Sequence, residues 1–119
     1  MRTHSFSAVL FSLLALNGSA SAHAFLLKSE PAVGARAAAP KTLRLEFSEG
    51  VELRFSGVEV TNASGMPISV EHVRYSGNNR KVVLADLPAL SPGSYRVKWH
   101  VVSVDTHRSE GDFTFAVAL

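Results

Sequence analysis

An all-β domain, folded as a two-sheet antiparallel sandwich behind a short export leader, is what this sequence predicts. Three observations carry that expectation. Apolar residues recur with a period of two in several separate stretches. Clusters of turn-forming residues separate those stretches, and nothing after residue 22 sustains a helical period.

The leader comes first. Arg2 gives a positive start, and an apolar run from Phe6 to Leu16 follows, broken only by Ser7 and Ser12. Asn17 and Gly18 then lead into small residues, with Ala20 and Ala22 in an A-x-A arrangement. This is the layout of a cleavable secretory signal over residues 1–22. The run is short for a membrane span, which takes about 20 apolar residues; an uncleaved anchor is the alternative. Cutting after Ala22 leaves residues 23–119 as one domain beginning at His23. It removes one basic residue, so 11 Lys and Arg face 10 Asp and Glu. A nearly neutral domain without a basic run is not expected to bind nucleic acid.

The chain contains no cysteine. An exported domain of this size without disulfides must be held by its hydrophobic core. Thiolate metal sites and cysteine nucleophiles are excluded. The bacterial periplasm is the expected destination, with no membrane insertion after the signal is removed.

The strands follow in order. "HAFLLKS" opens the domain and is expected to anchor its terminus through Phe25, Leu26 and Leu27. The Ala-rich "VGARAAAPK" reads as a loop. In "KTLRLEFSE", Leu43, Leu45 and Phe47 alternate with Thr42, Arg44 and Glu46, which puts one face on a core and the other in water. "GVEVTN", "ISVEHVRY" and "KVVLADL" read as further strands, separated by the turns "NASGMP" and "SGNN". After "LSPG", Tyr95, Val97, Trp99 and Val101 alternate with Arg96, Lys98 and His100, with Trp99 as a core aromatic. Phe113, Phe115 and Val117 share a face in "GDFTFAVAL". About seven short strands in a domain this small suggest an immunoglobulin-like sandwich.

Candidate chemistry begins at His23. If cleavage precedes it, one residue carries both a free amine and an imidazole. An α-amine has a pKa of about 7.7–8.0, so a metal can displace its proton near neutral pH. The amine nitrogen and the ring Nδ1 then close a six-membered chelate that suits divalent copper. The bland alternative is that cleavage merely exposes a histidine, and His23 alone favours that alternative.

Asp105 and His107 stand two apart in "VSVDTHRSEG". In an extended segment that spacing points a carboxylate and an imidazole to one side, with Thr106 pointing away. A lone D-x-H is usually a surface loop; here it directly follows a strongly patterned strand. Glu49, in "EFSEG", is either a solvated turn carboxylate or an outer acceptor that orients a ligand. A divalent ion with one carboxylate is still +1, and a second nearby carboxylate would neutralise it.

Taken together, "HAFLLKSEPAVGA", "LRLEFSEGV" and "GSYRVKWHVVSVDTHRSEGDFTF" resemble the CopC family of periplasmic copper-binding proteins across residues 23–119. The most specific part is a mature N-terminal histidine combined with "W…VSxDTHxxxG". The resemblance implies a Greek-key β-sandwich with a Cu(II) site at one end. His23 would supply amine and ring nitrogen, Asp105 and His107 would complete the site, and Glu49 would lie close to the metal. It also implies a monomeric, non-enzymatic carrier in copper homeostasis or resistance, with an inner-membrane copper transporter of the CopD type as partner. Some members carry a second, Cu(I) site in a methionine-rich loop. Here "TNASGMPISVEHVRYSG" holds Met66 and His72 but no methionine cluster, and thioether sulfur is what selects Cu(I). This chain therefore resembles the members with a Cu(II) site alone. His72 and His100 lie on polar strand faces and are expected to serve no metal.

Two other functions compete. Copper oxygenases that attack polysaccharides also use an N-terminal histidine brace on a similar sandwich, but with two histidines plus amine and an open position. A metal-free interaction module is the third reading, and it predicts no stoichiometric copper binding.

Overall fold

The computed structural model describes residues 23–119; the expected leader, residues 1–22, lies outside the described residues. Among the described residues nine strands form in chain order: β1 Leu26–Glu30, β2 Arg36–Ala37, β3 Thr42–Phe47, β4 Gly57–Asn62, β5 Pro67–Ile68, β6 Glu71–Ser76, β7 Asn79–Asp86, β8 Gly93–Val102 and β9 Arg108–Val117. A single 3-10 turn, Leu53–Phe55, precedes β4. One sheet has the order β1-β3-β7-β6 and the other β2-β9-β8-β4-β5. The chain passes repeatedly between the two layers, as expected of a Greek-key sandwich.

The period-two stretches became the core strands. Leu43, Leu45 and Phe47 of β3 face Tyr95, Val97, Trp99 and Val101 of β8 and Phe113, Phe115 and Val117 of β9, all within one buried cluster. Trp99 meets Phe47 edge-on, with ring centroids 5.2 Å apart. The indole lies against Gly111, where an added Cβ would come within 2.5 Å of Trp99 Cζ2. Only a glycine lets the β9 backbone pass that close.

Three local expectations are corrected. The "VGARAAAPK" loop contains β2, which pairs in parallel with the edge of β9 through Arg36 and Ala37. The "NASGMP" turn ends in β5, which pairs with β4. Both are two residues long, too short to show any period. The third concerns the terminus. Phe25 and Leu27 are largely exposed, at 56% and 63%, and it is Ala24 and Leu26 that turn inward. The β1–β3 register shifts between Leu26 and Lys28. The extra residue breaks the alternation, so Ser29 rather than Lys28 is buried next.

The two longest strands, β8 and β9, pair without interruption from Gly93↔Val117 to Val102↔Arg108. This ladder carries residues 103–107 out to one end of the sandwich. The start of β1 and the end of β3 reach the same end, since Ser48 bonds the backbone of Phe25 and Gly50 bonds that of Val104.

Candidate metal site

Asp105 and His107 sit at the tip of the β8–β9 hairpin. The ladder closes with Ser103 N donating to the His107 carbonyl at 2.8 Å, and Thr106 N donating to the Ser103 carbonyl at 2.8 Å. Thr106 has a φ of 74°, in the left-handed region. The segment is therefore a tight turn, which corrects the expectation of an extended strand. The two side chains still meet, but for a different reason. The turn folds His107 back over Ser103, and His107 Nδ1 comes within 3.4 Å of Asp105 Oδ1.

Ser103 is the hub of this turn. It is fully buried, and its hydroxyl donates to Asp105 Oδ1 and accepts from His107 N at 3.2 Å. The Ser103 hydroxyl, with the His107 ring assisting, holds the Asp105 carboxyl below its ordinary value of 3.8. A depressed aspartate stabilises the folded turn above its unfolded pKa, and that contribution is lost as acid brings the pH down through the folded value. Replacing Ser103 by Ala should move the Asp105 titration up toward 3.8. Following the carboxyl carbon by NMR checks this, and an unmoved titration would refute the role given to the hydroxyl.

His23 approaches from the other sheet. Its ring centroid lies 5.5 Å from that of His107, with the planes tilted by 44°. In the intact chain the His23 nitrogen is a peptide nitrogen joined to Ala22. Glu49 occupies the turn after β3. Its neighbour Gly50 accepts a hydrogen bond from Val104 N at 2.9 Å, which ties that turn to the residue before Asp105. The Glu49 carboxylate itself makes no hydrogen bond or ion pair among the described residues.

The structure thus brings His23, His107 and Asp105 together in two close pairs that share His107. Among the described residues, no three His, Asp or Glu side chains are already gathered into a metal cage. The two histidines expected to serve no metal are exposed. His72 pairs with Asp86 at 3.4 Å on β6 and β7, and His100 packs its ring over Gly57. Sequence reasoning missed the serines at this end: Ser48, Ser103 and Ser109. The available signal was position, since each lies within three residues of a charged or imidazole side chain at a strand end, in "FSE", "VSVD" and "HRSE".

A model of the CopC domain matches residues 26–118. The chain belongs to the CopC family. It is 42% identical over 98 residues to the protein YobA of Escherichia coli strain K12, spanning 81% of this chain and 79% of that one. Among solved structures, CopC of Methylosinus trichosporium OB3b superposes with a TM-score of 0.75 at 33% identity, covering 81% of this chain and 94% of that one. PcoC of E. coli, a methionine-rich copper resistance protein, gives a TM-score of 0.73 at 36% identity, covering 81% and 99%. This CopC-family chain is not methionine-rich, since Met66 is the only methionine among its described residues.

No helix among the described residues is long and apolar enough to cross a membrane.

Proposed function

We propose that this CopC-family chain is exported to the periplasm, is trimmed to begin at His23, and carries Cu(II) as a monomeric binding protein. The observation that carries the reading is the pair of imidazoles at 5.5 Å from two different sheets, one of them next to Asp105. For metal–nitrogen bonds of about 2 Å, two imidazoles on one ion place their centroids roughly 4.5 Å apart at a right angle and about 6.3 Å apart in line. The observed spacing falls inside that range, which supports a shared ion between the two rings.

Each donor has a distinct part. The freed His23 amine and its ring Nδ1 chelate the ion. His107 faces Asp105 through Nδ1, which leaves Nε2 as its donor nitrogen. The Asp105 carboxylate supplies oxygen and charge, and Glu49 provides outer negative charge that neutralises the remaining +1. A set of nitrogen and oxygen donors without thioether sulfur favours the oxidised ion. That donor set supports sequestration and hand-over of Cu(II) rather than electron shuttling or catalysis. The receiver that the family resemblance suggests is an inner-membrane copper transporter of the CopD type.

Titration of the chain beginning at His23 with Cu(II), read by visible absorption and spin resonance, tests the reading. One equivalent should bind with a nitrogen-rich signature, and His107→Ala should weaken binding by more than about tenfold, or about 1.4 kcal/mol. A folded protein that takes up no stoichiometric copper would defeat the proposal. Mass spectrometry of the secreted protein should find His23 as its first residue.

A further inference from the structure

The first residue of a chain ordinarily frays, and a frayed residue holds no metal in a defined geometry. Here the two residues after His23 are held by contacts from both sheets. Ser109, on β9, donates its hydroxyl to the Ala24 carbonyl at 2.8 Å. Ser48, just past β3, accepts from Phe25 N through its hydroxyl at 2.8 Å and donates its own backbone N–H to the Phe25 carbonyl at 2.8 Å. Between these bonds the Ala24 methyl is fully buried in the core cluster. β3 belongs to one sheet and β9 to the other. The terminal segment is therefore pinned across the open end of the sandwich, one residue from the imidazole that faces His107.

We propose that Ser48 and Ser109 are positioning residues that clamp the Ala24–Phe25 backbone and so hold His23 against the Asp105–His107 turn. The proposal deepens the copper reading and rests on it for its purpose, but the clamp itself is a property of the metal-free chain. Burial of Ala24 alone fixes a position along the chain. The two serine hydroxyls fix the rotation of the Ala24–Phe25 peptide, because they hold its carbonyl and its N–H. Rotation is what decides where the ring of the preceding residue points.

The test uses the chain beginning at His23. In the metal-free protein, the nuclear Overhauser contact between the His23 and His107 rings should be present. It should vanish in the folded double variant S48A/S109A and persist in S48T/S109T, which keeps both hydroxyls. Ser64→Ala, in the turn at β4–β5, should leave it unchanged. Cu(II) affinity should fall about tenfold to a hundredfold in the double alanine variant, as for other groups that orient a ligand without touching the metal. The spin-resonance signal should also broaden into more than one species, which a change in global stability alone would not produce. Should the double variant fail to fold, S48A and S109A singly carry the same test.

A ring contact and a copper affinity both unchanged in the folded alanine variants would overturn the clamp. Serine-dependent ring contact in a wild-type chain that binds no copper would instead uphold the clamp and remove the copper reading.

Discussion

A chain that keeps one residue ahead of His23 is expected to bind Cu(II) at least about a hundredfold more weakly than the chain beginning at His23, a loss of about 2.8 kcal/mol. The extra residue converts the α-amine of His23 into a peptide nitrogen. That nitrogen has no basic lone pair at neutral pH, so the chelate with Nδ1 of the same residue is lost. The other donors stay where the fold puts them, because the His23–His107 contact and the Asp105–His107 contact depend on the hairpin and on β1 rather than on the amine. The loss therefore reports on the terminal chelate. Acetylating the amine should do the same without adding a new one.

The pH dependence separates this effect from misfolding. With a free amine of pKa about 7.7–8.0, displacing its proton weakens apparent binding by up to about tenfold for each pH unit below that range. The acetylated chain lacks that proton and should lose that part of the slope. Calorimetric titration with a competing chelator between pH 6 and pH 8 would measure both quantities. Equal affinities and equal slopes in the free and blocked chains would eliminate the terminal chelate.

Replacing Phe47 by Ala should destabilise the domain by about 3–5 kcal/mol. Phe47 is 1% exposed, and its ring meets Trp99 edge-on at the centre of the core. Removing it loses the apolar burial, the aromatic contact and the packing around the cavity left behind. A domain of this size has only about 5–15 kcal/mol in hand, and this one has no cysteine and hence no disulfide to add. The melting temperature should fall by at least about 12 °C. The damage should extend to the end of the sandwich where the site lies, since Phe47 pairs with Leu26 and is followed by Ser48, which bonds Phe25. Thermal unfolding followed by circular dichroism would check the stability. A change under about 1 kcal/mol would show that the Phe47–Trp99 contact is not central to the core.

Legibility differed sharply between the core and the site. Leu43, Leu45 and Phe47, and likewise Tyr95, Val97, Trp99 and Val101, are buried as their alternation predicted. A period of two maps directly onto a pleated strand with one wet face, so no partner strand is needed to read it. The first strand defied the same rule. Phe25 and Leu27 take the outward positions opposite Ala24 and Leu26, and a bulge between Leu26 and Lys28 then shifts the alternation so that Ser29 is buried next. A bulge depends on the register with β3, which is a property of two strands together. The D-T-H segment met a similar limit. Its two side chains come together, but through a left-handed turn at Thr106 closed over the buried Ser103 hydroxyl, not through strand geometry.

What the sequence by itself determined is the class of the fold and the chemical identity of the candidate donors. Alternation is local, and an imidazole or carboxylate is the same group wherever it is placed. Only the tertiary structure decided which donors meet. His23 and His107 lie at opposite ends of the domain in sequence, and nothing in their spacing predicts 5.5 Å between their rings. That distance follows from two sheets packing face to face, from the register that carries the β8–β9 hairpin to one end, and from two serines that fasten the beginning of the chain beside it.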